Sequence, residues 1–288
     1  MPVRRMMEES IRKADILIEA LPYIQAFRGK VVVAKYGGSA IENPAAIRGI
    51  LQDLVFLSTV GIQPVLVHGG GPAITKRLAA QGRGTSFVDG MRVTDQATVE
   101  IVEGSLAELN RALAEQIRAL GGRAEGLGAP QQVVVAAPHP KAAQLGFVGQ
   151  VRAVRTAPIR EVFTAHAIPV ISPIGVADGQ LYNINADDVA AAVAAHLEAE
   201  KLVLLTNVRG ILRNPADLAS LISTLPVGQA GGLLARGVIQ EGMIPKVQAC
   251  IGALVQGVRK THIIDAALPH AMLLEIFTKQ GIGTEIVP

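Results

Sequence analysis

The sequence predicts an α/β fold: a three-layer αβα sandwich around a central, mostly parallel sheet, arranged as two lobes. Two observations carry this. Short apolar runs at residues 31–34 (VVVA), 64–67 (PVLV), 169–174 and 201–206 (KLVLLT) read as strands buried on both faces. The first two then run into glycines, Gly37-Gly38 and Gly69-Gly70-Gly71, and pass into helical periodicity. Strand–glycine–helix units in tandem mark a doubly wound sheet, whose ligands sit at the carboxyl ends of the strands.

Composition limits the function classes. Half of the 288 residues are hydrophobic and 18% are charged, which excludes a disordered chain. Aromatics make up 3% and Trp is absent, which argues against a base-stacking nucleic-acid surface. A net charge of +3 fits anionic small molecules as well as it fits anything larger. No apolar run approaches the ~18 residues of a membrane span, and MPVRRMMEESIRKAD lacks the apolar core of a secretory signal. Cys250 is the one cysteine, placed in an apolar helical run where a buried, inert thiol is expected, and no metal-ligand spacing of Cys or His occurs. A cytoplasmic protein with no protein-ligated metal follows.

Taken in order, residues 8–27 form an amphipathic helix that Pro22 should kink or interrupt. It precedes the first strand, so it either docks on a partner subunit or folds back onto its own core. The first strand ends at Lys35. Helices follow at 45–60 and 73–80, on either side of the second strand and its triple glycine. Residues 82–95 are a polar segment, 96–120 a long helix, and GGRAEGLGAP a loop. Residues 133–157 read as short strands with turns, a hairpin decoration. After the strand at 169–174, Asn185 is an N-cap with Asp187 and Asp188 in the first helical turn. A second lobe begins at 201–206 and continues through the loop NVRGILRNP and a glycine-rich approach to a helix within 231–256. The strand THIID, the helix HAMLLEIFT and the loop QGIGTEI close the chain.

The triple glycine is the most informative stretch. Bare backbone at a helix N-terminus presents outward amides and the positive end of the helix dipole, a cradle for phosphate or carboxylate. A simple turn requires a single positive-φ glycine, and here there are three. Familiar nucleotide motifs do not account for it. RGK at 28–30 lacks P-loop spacing, and GxGxxG fails because its third glycine falls on Ile74. GxSxG and HExxH are absent. His68, beside the glycines, is the one histidine well placed for chemistry, and a supporting hydrogen bond is its expected role. What remains is a phosphate site of two glycine loops, with Lys35 at one strand end and Lys246 near a helix start in the other lobe. Pro245 fits that helix start, and a cation there opposes the dipole, which points to function. Lysines and amides converging on equatorial oxygens suit phosphoryl transfer without a P-loop.

KYGGSA (35–40), VLVHGGGP (65–72), FVDGMRVTD (87–95), LGFVGQV (145–151), YNINADDVAAA (182–192) and GGLLARGVIQEGMIPKVQA (231–249) come in the order seen in the acetylglutamate kinases of the amino-acid kinase family, which the chain resembles from about residue 20 onward. The resemblance implies the amino-acid kinase fold. It also implies transfer of the γ-phosphate of ATP, with Mg²⁺, to the side-chain carboxylate of N-acetyl-L-glutamate, the second step of arginine biosynthesis. By motif, Lys35 and Lys246 would stabilise the transferring group and Asp187 would orient them. Gly37, Gly38 and Gly70 would hold phosphate oxygens. Gly70, Gly71, Arg92 and Asn183 would bind the acetylated amino acid, with Asn185 close by and Arg92 clamping the α-carboxylate. Residues 29–198 would take the amino-acid substrate and 199–288 the nucleotide, through Thr206, Asn207, Gly210 and Met243. A carboxylate nucleophile is already ionised at neutral pH, its reference pKa being ~4.3, so no general base is needed. None of the general-base motifs considered above occurs in the sequence.

The sequence departs from the family at Asn207 and Arg209, where Asp and Pro are usual, which bears on nucleotide affinity, and in GLGAPQQVVVA, which lacks a Gly-Lys-Asp-rich pattern. The N-terminal helix (1–28) and the C-terminal HAMLLEIFTKQGIGTEI resemble the arginine-inhibited, hexameric members. That implies a homohexamer and an L-arginine effector site, with Lys201, His270, Glu275, Gly281 and Gly283 as candidates. Nothing indicates a signalling-protein partner. The rival readings are a kinase for carrier-bound aminoadipate and a non-catalytic arginine sensor; intact Lys35, Lys246 and Asp187 speak against the sensor.

Overall fold

The computed structural model describes residues 2–38, 41, 43–240, 242–278 and 281–288, the side chains of 2–6 excepted. The end of KYGGSA (39–40), Glu241 of the GVIQEGMIPK segment and Lys279-Gln280 near the C-terminus lie outside the described residues. Helix α1 (Pro2–Phe27) leads into β1 (Val31–Tyr36), α2 (Pro44–Thr59), β2 (Gln63–His68) and α3 (Gly71–Ala80). Next come β3 (Phe87–Val88), β4 (Met91–Arg92), α4 (Gln96–Ala119), β5 (Ala124–Leu127), β6 (Val134–Pro138), α5 (Ala142–Leu145), β7 (Gly149–Val154) and α6 (Ala157–Thr164). The chain continues through β8 (Ile168–Ile171), β9 (Ile174–Ala177), β10 (Gln180–Asn183), α7 (Ala186–His196), β11 (Lys201–Thr206) and β12 (Thr224–Pro226). It closes with α8 (Val227–Ala235), α9 (Met243–Val255), β13 (Lys260–Asp265), α10 (Ala271–Phe277) and β14 (Thr284–Val287).

Eight strands form one sheet in the order β12-β14-β13-β11-β1-β2-β8-β5. Every neighbouring pair is parallel except β13–β14. Strand alternation explains the three layers. Val33 and Leu204 face one way and pack with Val189 and Val193 of α7 and Val247 and Cys250 of α9. Val32, Ala34 and Val203 face the other way, onto Leu51 and Leu54 of α2, Leu113 and Ile117 of α4 and Met272 of α10. Cys250 is fully buried, and burial pushes its thiol up to about 12, so it stays protonated as an inert core residue. A second sheet, β10-β9-β6-β7, contributes Val134, Ala136 and Val154 to the first of these cores. No helix among the described residues is long and apolar enough to cross a membrane.

Several local expectations are corrected. Helix α1 runs through Pro22 without interruption. The helix is exposed there, so water can take the Ile18 carbonyl that Pro22 leaves without a donor. GGRAEGLGAP contains strand β5, formed by parallel pairing with β8 despite Gly126. The single strand read at 169–174 is two, β8 and β9, and the loop after it includes β10, which pairs with β9. The hairpin decoration ends in helix α6, and the C-terminal loop contains β14.

Candidate active site

Because β1, β2, β8 and β11 run parallel, their carboxyl ends meet at one rim of the sheet. Both glycine loops lie there in direct backbone contact. A Cβ on Gly37 would stand 3.0 Å from the Gly69 Cα, and the Gly69 N–H donates to the Tyr36 carbonyl at 2.7 Å. A Cβ on Gly70 would meet Leu106 Cδ2 at 2.6 Å, and Gly38 sits at φ +69°. Close approach therefore explains Gly37, Gly69 and Gly70, and positive φ explains Gly38. Among the described residues no acceptor is paired with the N–H of Gly37, Gly38, Gly70 or Gly71. Unspent amides beside the N-terminus of α3 make an anion cradle.

The charge that faces this cradle comes from three elements. Lys35 projects from the end of β1, Asp187 from the first turn of α7, and Lys246 from the second turn of α9. Asn185 caps α7 by accepting the Asp187 N–H at 2.7 Å, which fixes the start of the helix and the direction of the Asp187 side chain. Pro245 falls within the first turn of α9, where its missing N–H costs nothing. One Asp187 carboxylate bridges both lysines, Oδ1 to Lys35 Nζ and Oδ2 to Lys246 Nζ, each at 2.8 Å. Burial acts to raise the Asp187 pKa, but the two ammonium groups together outweigh it and hold the carboxyl below its ordinary range. Lys35 is lowered from its ordinary value, chiefly by burial. Two cations held on one anion leave a net positive charge, which suits a phosphate.

A cavity of about 300 Å³ opens beside these groups and is lined by Lys35, Gly38, Gly70, Gly71, Arg92, Asn183, Asn185 and Asp187. Arg92 is delivered by the β3–β4 hairpin, whose Asp89-Gly90 turn has φ of +51° and +76°, the type I′ geometry that this dipeptide favours. Its guanidinium is positioned by neutral groups: Thr85 Oγ1 at 2.9 Å, Thr75 Oγ1 at 2.8 Å, the Gly71 carbonyl at 3.1 Å, and the Phe87 ring, whose centroid is 4.9 Å away. Burial lowers its pKa, and among the described residues no carboxylate is paired with it. A buried, preoriented cation without an anion is a receptor for a carboxylate. Asn183 Nδ2 donates to Thr94 Oγ1 at 3.3 Å, and that hydroxyl donates to the Arg92 carbonyl at 2.7 Å.

The expected nucleotide residues lie elsewhere on the rim. Thr206 ends β11, and its hydroxyl donates to Asn207 Oδ1 at 3.3 Å. Gly210, at φ +143°, leaves room for Thr284, whose Oγ1 would lie 2.6 Å from a Cβ there, and Met243 opens α9. Of the expected effector residues, Lys201, Glu275, Gly281 and Gly283 line one cavity of about 710 Å³ together with Tyr23, Phe27, Glu200, Lys260 and Glu285. His270 is absent from that lining and instead pairs with buried Asp53 at 2.7 Å. The supporting threonines of Arg92, and Glu200, Lys260 and Glu285, escape sequence reasoning because short loops and distant strands bring them in.

The Amino acid kinase family matches residues 30–265, and the chain belongs to that family. It is a kinase by family and by relatives. Curated proteins called acetylglutamate kinase include those of Syntrophomonas wolfei, 48% identical over 98% of this chain and 99% of that one, and Moorella thermoacetica, 48% identical over 96% and 98%. Among solved structures, an N-acetylglutamate synthase from Neisseria gonorrhoeae, complexed with coenzyme A and N-acetyl-glutamate, superposes with a TM-score of 0.81 at 28% identity. The match covers 94% of this chain and 62% of that longer one. A Giardia lamblia carbamate kinase bound to AMP-PNP, at 15% identity and TM-score 0.67 over 90% and 98%, shares the fold.

Proposed function

We propose that this chain phosphorylates the side-chain carboxylate of N-acetyl-L-glutamate with ATP, giving N-acetyl-L-glutamyl 5-phosphate, a step of arginine biosynthesis. The observation that carries the reading is the meeting, in one cavity, of Lys35 and Asp187, the glycine amides and an Arg92 without a counter-anion, with Lys246 joined to the same Asp187 carboxylate. Arg92 and Asn183 hold the acetylated amino acid, with Asn185 and the amides of Gly70 and Gly71 nearby, so that the side-chain carboxylate points toward Lys35. Gly37, Gly38 and Gly70 donate to oxygens of the transferring phosphoryl group. Lys35 and Lys246 share their remaining N–H donors with the same oxygens, and Asp187 keeps both lysines aimed. The nucleophile arrives ionised, and no side chain has to remove a proton.

The 199–288 portion takes the nucleotide through Thr206, Asn207, Gly210 and Met243, while 29–198 takes the amino acid. Both Asp187 oxygens are engaged by lysines, so Mg²⁺ accompanying ATP would be held chiefly by the nucleotide's phosphates. The cavity around Lys201 and Glu275 carries three carboxylates and two ammonium groups, a donor set that fits the guanidinium and the amino-acid end of L-arginine. Feedback inhibition at that site is part of the reading. The related synthase has also been solved with coenzyme A and L-arginine. Helix α1 exposes Ile11, Ile16, Leu17, Ile18 and Leu21, an apolar stripe that a second copy would cover in a homohexamer. The protein acts in the cytoplasm.

Trapping the acyl phosphate with hydroxylamine tests the activity. Hydroxamate should form with acetylglutamate and exceed that formed with glutamate or acetyl-aminoadipate. No signal with acetylglutamate refutes the assignment.

A further inference from the structure

Behind the triple glycine lies a buried polar cluster that the chemistry above does not use. His68, at the end of β2, is fully buried, with Ser172 and Asn110 packed against it. Its Nδ1 lies 2.9 Å from the Gly69 carbonyl, and its Nε2 lies 3.1 Å from both Ser172 Oγ and Asn110 Nδ2. Asn110 is held in turn by the Val170 carbonyl at 2.8 Å and Ser172 at 3.0 Å. A carbonyl only accepts and an amide NH₂ only donates, so the partners dictate the tautomer: Nδ1 carries the proton and Nε2 accepts.

The consequence falls on one peptide group. The Gly69–Gly70 peptide is trans, so its C=O and N–H point in opposite directions. With Gly69 O drawn down onto the imidazole, the Gly70 N–H is turned away from His68. The Gly69 N–H is already spent on Tyr36, and the Gly70 carbonyl accepts from Ile74 at 2.9 Å. The three successive peptides from His68 to Gly71 are thereby each pinned by one bond, although glycine itself imposes little restriction. We propose that His68 is a positioning residue: through its Nδ1–H bond to Gly69 O, backed by Ser172 and Asn110, it locks the Gly69–Gly70 peptide with the Gly70 N–H aimed at the transferring phosphoryl group. The role of Gly70 rests on the reading given under Proposed function.

Replacement by the two amides separates this role from packing. In Asn the side-chain nitrogen stands near the place of Nδ1 and keeps the donor to Gly69. In Gln it stands near Nε2 and loses that donor. With hydroxamate formation as the assay, H68Q should lose about tenfold or more in kcat, toward the loss seen when an oxyanion-hole donor is removed. Its KM values should change by less than about threefold, the signature of a lost transition-state contact. H68N should stay within about threefold of wild type. Equal kcat for the two variants, or a loss confined to KM or to melting temperature, overturns the proposal. Should the variants fail to fold, ¹⁵N spectra of the wild-type ring decide: a protonated Nδ1 is expected, and a protonated Nε2 refutes it. An inactive wild-type enzyme would instead refute the assigned activity.

Discussion

Replacing Asp187 by Asn keeps the shape of the site and removes the one charge that holds two lysines together. Both ammonium groups lie 2.8 Å from the carboxylate, and the side chains of Lys35 and Asp187 are only 8% and 6% exposed. Removing one member of a buried pair costs about 3–5 kcal/mol. The Lys246 side chain is 22% exposed, so water shares part of the load and the lower end, about 3 kcal/mol, applies. For a chain of this size that is a fall of about 5 °C in Tm. The pH dependence carries a sign that can be checked. Asp187 is held below its ordinary value, so its contribution is present above the unfolded carboxyl's ~4 and is lost as pH falls through the folded value. Without the carboxylate, Lys35, already lowered by burial, falls further below the ~10.4 of an unfolded lysine. In that alkaline window the unfolded chain binds the extra proton, so the stability of the variant rises with pH. Thermal or urea unfolding of D187N and wild type from about pH 2 to 10 should show the widest gap near neutrality, narrowing below about pH 4 and again in the alkaline window. A variant as stable as wild type at pH 7, or a gap independent of pH, would refute the reasoning.

Two further outcomes are expected. Arg92→Ala should raise the KM for acetylglutamate by about tenfold or more, a charged hydrogen bond being worth about 1.5–3 kcal/mol, with kcat little changed. Lys at that position should not restore affinity, because an ammonium cannot reproduce the forked contacts that the guanidinium makes with Thr75 and Thr85; steady-state kinetics check both. Deleting residues 1–25 should give a smaller particle by light scattering and weaken inhibition by L-arginine, because α1 supplies both the apolar stripe and Tyr23 of the effector cavity.

The central strands were legible because residues 31–34 and 201–206 are apolar at every position short of their ends, as burial on both faces requires. The glycine loops and the two lysines were legible as residue types whose chemistry outruns their structural need. Strand β5 was not, since Gly126 lies in it and pairing with β8 supplies what propensity lacks. Nor was the length of α1, whose Pro22 is tolerated where solvent can satisfy the freed carbonyl. Ser172 lies 104 residues from His68, and no local pattern links them. Asp53 and His270, 217 residues apart, meet only when α2 packs against α10, and no local pattern in the sequence links them. Asn185 shows the limit from the other side: its capping role was plain from its position, and the cap also aims Asp187 at the lysines.

The most direct test of the phosphoryl-transfer site is the steady-state kinetics of Lys35→Ala with ATP and acetylglutamate. A cation that acts mainly on the transition state should, when removed, lower kcat about 10²–10³-fold and leave both KM values within about threefold. A Lys35→Ala enzyme that turns over at the wild-type rate would contradict the account.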